Sequence, residues 1–231
     1  MQRNSLIGYS LILGSIGVFI PYTVLTMTFN YPDVLRLPGG EILTAFNAGG
    51  ASLIFTWFAF ALLGTPLLIA YTMIGQQFEA ASPHLRWITT FGIFSAFFQM
   101  IGLLRWVFVV PVLAQQYVAA SSTELREAIV VTFNSVHQFG GVLLGEHLGQ
   151  LFTVVWTVGV SLTLYRLGVI KKSFAIFGVV TSAIYLLAQA ELLATVIPGF
   201  PYIGIAGFLG STLWLVWLVL LGVVFIKRKH S

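Results

Sequence analysis

The 231-residue sequence contains no cysteine. That excludes a disulfide framework, a cysteine-type zinc site, an iron–sulfur cluster and a thiol nucleophile, and it leaves the redox compartment unreadable. Charge is almost as scarce. Asp, Glu, Lys and Arg make up 8% of the residues, against roughly 25% in a soluble domain. Eleven basic and seven acidic side chains cannot coat a water-facing globule of this length. No low-complexity tract, interdomain linker or convincing internal repeat is visible, so residues 1–231 read as one integral-membrane helical domain. There is no H-E-x-x-H and no G-x-S-x-G, which disfavours the multi-histidine and serine types of intramembrane hydrolase.

What the sequence has is apolar bulk. Hydrophobic residues make up 58%, with 20 Phe, 8 Tyr and 6 Trp, and the mean hydropathy is +0.96. Such bulk excludes disorder. A spanning helix needs about 20 apolar residues, and six runs between breakers meet that length: Leu6–Thr28, Ala51–Ile74, Trp87–Val110, Val142–Tyr165, Phe174–Val196 and Ile205–Ile226. The first run follows Arg3, yet it is too long for a signal-peptide core and no A-x-A-like site follows it, so it reads as a retained helix. The expected fold class is all-α: a polytopic bundle of six transmembrane helices, with no room for a soluble catalytic domain.

The few charges orient it. With a cytoplasmic N-terminus, Arg3, Arg86, Arg166, Lys171, Lys172, Lys227, Arg228 and Lys229 lie inside, Arg36 and Arg126 lie outside, and Arg105 alone sits within a span. This asymmetry predicts both termini in the cytoplasm and explains a pI of about 9.5 by topogenesis and anionic lipid rather than by nucleic acid. The tail Lys227-Arg228-Lys229-His230 reads as an inner-face anchor, and His84 as a bystander.

The inner loops are short. The outer connections Phe29–Gly50 and Val112–Gly141 are long. In the first, Glu41–Phe46 lies between Pro38-Gly39-Gly40 and Gly49-Gly50, which predicts a short interfacial helix. In the second, Ser121 with Glu124 makes a capping box. Leu125, Ile129, Val130, Phe133 and Val136 then recur as the apolar stripe of an amphipathic helix that lies on the outer face or runs into the fourth span. Pro66, after Gly64-Thr65, predicts a kink in the second span, with Thr65 re-satisfying the freed backbone.

Four stretches carry a resemblance: Tyr31-Pro-Asp-Val-Leu-Arg36, Gly102-Leu-Leu-Arg-Trp-Val-Phe-Val-Val-Pro111, His137-Gln-Phe-Gly-Gly-Val-Leu-Leu-Gly-Glu-His-Leu-Gly-Gln150, and the Trp-rich Gly210–Gly222. Together they resemble a family of small bacterial multi-spanning proteins catalogued as a domain of unknown function. The resemblance covers essentially the whole chain and implies a bacterial inner-membrane location. It implies no reaction, so function has to come from the residues.

Ionisable residues inside a membrane are costly and mark function by default. Three fall within the spans: Arg105, Glu146 and Glu191. With His147, Gln150 and Gln189 they converge at one depth, in the outer half, with His137 slightly further out. Arg105 is expected to pair with Glu146 or Glu191, and its planar fork also suits a carboxylate or phosphate. Gln150, at i+4 from Glu146 and i+3 from His147, is placed to bridge toward both. Gly141, Gly145 and Gly149 recur every four residues and predict a close helix contact. Trp106 is the candidate cavity-lining tryptophan; the other tryptophans read as lipid-facing or belt residues.

These residues leave three readings open. The cluster binds or moves a lipid-like or small anionic molecule through Arg105. Or it belongs to a membrane-embedded enzyme using Glu146, His147 and Glu191 as acid–base groups, or those with His137 as metal ligands. Or it is the structural core of an accessory subunit. The sequence requires no cofactor, leaves metal and oligomeric state open, and names the bilayer as the one certain partner.

Overall fold

The computed structural model describes residues 3–228; Lys229 and His230, the end of the basic tail, lie outside them. All regular structure among the described residues is helical: α1 (Arg3–Phe29), a short 3-10 turn (Asp33–Arg36), α2 (Gly39–Leu62), α3 (Pro66–Phe78), α4 (Leu85–Phe108), α5 (Val110–Ala119), α6 (Thr123–Val136), a π-helical segment (His137–Leu148), α7 (Gly149–Arg166), α8 (Lys172–Leu187), α9 (Gln189–Ala194) and α10 (Ile205–Lys227). Among the described residues, six stretches are long and apolar enough to cross a membrane: Arg3–Phe29, Gly39–Phe78, Leu85–Ala119, Thr123–Arg166, Lys172–Ala194 and Ile205–Lys227. Each overlaps one expected run. The chain is a multi-pass helical membrane protein. Its outward-facing apolar residues, such as Phe55 and Phe139, at 71% and 63% exposure, make sense with lipid as solvent.

The long stretches are interrupted where the sequence has breakers. Gly50 adopts φ 56, ψ −152 inside α2, separating residues 39–49 from the span that follows. Only glycine takes such a backbone without strain, and the helix expected at Glu41–Phe46 lies on the near side of this break. Pro66 opens α3 at its first turn, where its missing N–H costs nothing. The backbone is re-tied by Leu67 and Leu68, whose N–H groups donate to the Gly64 and Thr65 carbonyls at 2.9 and 3.0 Å. The Thr65 side chain makes no capping bond, so backbone turns do what was expected of its hydroxyl. The cap of α6 is Ser122, not Ser121. Its extended backbone (φ −126, ψ 157) lets the hydroxyl accept from the Leu125 N–H, which leaves Leu rather than Glu at the third helical position and no reciprocal capping box.

The chain divides into two compact units. The first unit comprises residues 1–16, 64–98 and 147–231. Here α7 packs on α8 and α8 on α10, around a core that includes Ile7, Tyr71, Trp156, Trp217, Leu221 and Phe225. Small residues set the spacing, as lipid-immersed helices require. A side chain on Gly222 would meet the Gly8 carbonyl, and one on Gly210 the Tyr185 backbone. The second unit comprises residues 17–63 and 99–146. Here α2 packs on α5 and α6 around an aromatic core of Phe29, Phe46, Trp57, Trp106 and Phe133.

The tryptophans depart from expectation. Trp57, Trp106, Trp156, Trp214 and Trp217 are buried, and Trp87 is the exposed one. Helices of this chain are apolar on every side, so composition cannot tell a lipid-facing ring from a core ring.

Candidate functional site

The polar residues of the spans form two clusters, one in each unit. In the second unit, α4 carries Arg105 into the aromatic core, where it is 8% exposed. Its Nη1 donates back along its own helix to the Gly102 carbonyl. Its Nη2 lies 3.5 Å from His137 Nδ1. A guanidinium has no acceptor capacity, so His137 Nδ1 accepts and the imidazole proton resides on Nε2. The Arg105 Cζ sits 5.1 Å from the Trp106 ring centroid, a cation–π distance. Trp106 in turn stacks on Trp57 at 4.8 Å and on Phe46 at 5.5 Å, and meets His137 edge-on at 6.0 Å.

The opposite side of the guanidinium is a glycine seat. A Cβ on Gly141 would collide with the Arg105 guanidinium, and one on Gly102 would come 2.7 Å from the Gly145 Cα. Gly102, Gly141 and Gly145 therefore let α4 and the π-helical segment approach closely enough to enclose Arg105. Gly141 and Gly145 do not act as one uniform packing stripe. Gly145 meets backbone, whereas Gly141 holds the arginine head group. Gly149 begins α7, in the other unit.

Glu146 has a different partner from the one expected. Its Oε2 accepts from Arg36 Nη2 at 2.8 Å. Arg36 comes from the 3-10 turn in the first long loop. Arg105 takes His137 and the Gly102 carbonyl as its direct partners, with Glu146, Tyr31 and Arg36 as its charged or titratable neighbours. The ion pair with Glu146 thus goes to a loop arginine, and the buried arginine is held by neutral groups and a ring. Sequence reasoning missed Arg36, Tyr31 and Trp57. Arg36 reads from the sequence as a topogenic charge and Tyr31 carries no role there, although both lie in the Tyr31–Arg36 stretch that carries the resemblance. Among the described residues, Arg105 Nε and Glu146 Oε1 are buried without a hydrogen-bond partner, while the Leu35 carbonyl faces the His137 imidazole as a backbone acceptor.

In the first unit, His147, Gln189 and Gln150 form a chain. Gln189 Nε2 donates to Gln150 Oε1 at 2.8 Å, which leaves Gln189 Oε1 to accept from His147 Nδ1 at 2.6 Å. Gln150 therefore answers Gln189 on the next span rather than bridging Glu146 and His147. Beside it Ser95 and Thr153 share a 2.6 Å hydroxyl pair. Glu191 lies on α9 in this same unit. The residues expected to form one site are thereby distributed: Arg105, Trp106, His137 and Glu146 in the second unit; His147, Gln150 and Glu191 in the first. Among the described residues, no three His, Asp or Glu side chains gather in a way that could hold a metal ion.

Comparison with known proteins gives family and nothing finer. Residues 6–222 match the family model described as Domain of unknown function (DUF4386), and the chain belongs to that family. No curated protein and no solved structure matches it.

Proposed function

We propose that this member of a family without an assigned reaction binds an anionic group, a lipid head group or a small carboxylate or phosphate, at Arg105, either to hold it or to pass it across the membrane. The observation that carries the reading is the buried Arg105 guanidinium, whose direct partners are neutral. A buried charge is costly unless it is paired. Glu146, Tyr31 and Arg36 are charged or titratable neighbours of Arg105, and Arg36 already engages the Glu146 carboxylate. An incoming anion would meet the orphaned Arg105 Nε–H. Planar recognition by Arg suits carboxylate and phosphate oxygens alike.

The topology that goes with this reading has both termini cytoplasmic and the Arg36 loop on the outer face, supported by the distribution of Lys and Arg between alternate loops. Native mass spectrometry tests the binding. The wild-type chain should retain an anionic species that Arg105→Met loses and Gln189→Leu keeps. Equal retention by a folded Arg105→Met chain would overturn the reading. For the first-unit cluster the favoured reading is structural, because the His147–Gln189–Gln150 chain uses its own donors and acceptors to tie α7's span to α9.

A further inference from the structure

The cluster around Arg105 leaves over two atoms of opposite kind. His137 is used up: its Nδ1 accepts from Arg105 Nη2, and the Leu35 carbonyl serves its other nitrogen. Arg105 Nη1 donates to the Gly102 carbonyl, and Glu146 Oε2 accepts from Arg36. Of Arg105 and Glu146 there remain, buried and unpartnered, Arg105 Nε, a donor on a permanent cation, and Glu146 Oε1, an acceptor on a carboxylate. The two belong to one neighbourhood, since the Glu146 charge acts on Arg105. They are not equally enclosed. Arg105 is 8% exposed, whereas the side chains of Arg36 and Glu146 are 30% and 21% exposed. The enclosed end of the cluster offers a donor with positive charge, and the more open end an acceptor with negative charge.

A purely anionic ligand answers one of these atoms and is opposed by the other. Arg105 attracts it and the Glu146 carboxylate repels it. Glu146 Oε1 also stays unpartnered, in surroundings where a buried polar atom without a partner is costly. A ligand that carries an ammonium beside its anionic group meets both. Its anionic oxygen accepts from Arg105 Nε–H, its ammonium donates to Glu146 Oε1, and Arg36 keeps its bond to Oε2. Along the row Arg105, anion, ammonium, Glu146, Arg36 the charges then alternate in sign, so each neighbouring pair attracts.

We propose that the molecule held at Arg105 is a zwitterion of the ethanolamine phosphate type, with its phosphate at Arg105 and its primary ammonium at Glu146. The proposal rests on the anion-binding reading and adds the second half of the ligand. Arg105 and Glu146 both lie in stretches long and apolar enough to cross a membrane, so the bilayer can supply this chemistry as an aminophospholipid head group; free phosphoethanolamine carries the same groups.

Lipid competition read by native mass spectrometry tests it. The delipidated protein is offered phosphatidylethanolamine against phosphatidylglycerol, and against phosphatidylcholine, in equal amounts and with the same acyl chains. Phosphatidylglycerol has the phosphate without the ammonium, and phosphatidylcholine has a cation with no N–H to donate. Phosphatidylethanolamine should be retained about tenfold over either, the size of one hydrogen bond to a charged group. The comparison runs against bulk attraction, because a chain of net charge +4 favours the net-negative lipid. Glu146→Gln should erase most of the preference over phosphatidylglycerol, and Arg105→Met should end retention of all three. Phosphoethanolamine that displaces the lipid where inorganic phosphate does not identifies a free zwitterion as sufficient; displacement by neither identifies the intact lipid. Equal or better retention of phosphatidylglycerol or phosphatidylcholine, or displacement by phosphate as effective as by phosphoethanolamine, overturns the zwitterion and leaves the anion site standing. Retention of no lipid, phosphoethanolamine or phosphate removes both readings. If Glu146→Gln does not fold, the wild-type comparison decides alone; a folded Glu146→Gln chain that keeps the full preference counts against the proposal.

Discussion

The two polar clusters solve the same problem in opposite ways. In the first unit, neutral groups are joined head to tail: imidazole N–H to amide oxygen, amide N–H to the next amide oxygen. No formal charge is committed to that chain, and its bonds fix how the fourth and fifth spans meet. In the second unit, a permanent cation is enclosed by a ring, a carbonyl and a neutral imidazole, and the neighbouring Glu146 carboxylate is claimed by a loop residue. None of the three side chains of the first arrangement has a buried atom left without a partner. The second has buried donors and an acceptor left over, in a protein class where unsatisfied polar atoms are most costly. The contrast teaches that a polar residue in a span is not in itself a functional residue; what separates them is whether the neighbours use up its hydrogen-bonding capacity.

That contrast can be broken by mutation. The largest effect is expected from Gly145→Leu, which drives a side chain into the Gly102 backbone. It should destabilise the folded protein by about 3 kcal/mol and empty the anion site with it, seen as a lowered Tm and lost ligand together. Arg105→Met comes next and should separate the two readouts: bound anion lost, Tm in detergent lowered less than by Gly145→Leu. A matching collapse of Tm would make Arg105 a structural residue and erase the difference between the clusters. Gln189→Leu should do the reverse. It orphans His147 Nδ1 and Gln150 Oε1 at a cost of about 1–3 kcal/mol, with anion retention unchanged. Arg36→Gln removes a half-exposed ion pair and should cost about 1 kcal/mol or less in stability, while weakening anion retention measurably. Smallest is Gly168→Leu, at a turn glycine with φ 66 and open space around it. Only backbone strain of about 1 kcal/mol is expected there, with both clusters intact. The proposed orientation has its own check. Cysteines at Asp33 and Lys171 should label from opposite sides of the membrane, and labelling from one side would reverse the assignment of loops.

The residues of the candidate site were partly legible because intramembrane charge is conspicuous. Arg105 and Glu146 stand out in any apolar run, and His137 lies in the stretch with the strongest resemblance. Their partners were not legible. Arg36 sits in a loop, where a basic residue already has an explanation in topogenesis, and nothing in the spacing says that the loop folds back onto Glu146. Trp57 was hidden for a different reason: on a helix apolar all round, no amphipathic stripe marks the buried face.

The sequence by itself determined the solvent and the number of spans, because about 20 apolar residues per helix follow from bilayer thickness alone. It determined the breaks at Gly50 and Pro66 too, since these are local consequences of a missing Cβ and a missing N–H. The tertiary structure decided the pairing of charges and the register of His137–Leu148. Assuming an ordinary α-helix puts His137 and Glu146 on opposite faces. In the structure His137–Leu148 is a π-helix, whose smaller turn per residue brings the two to one side of the segment, with His137 at Arg105 and Glu146 at Arg36.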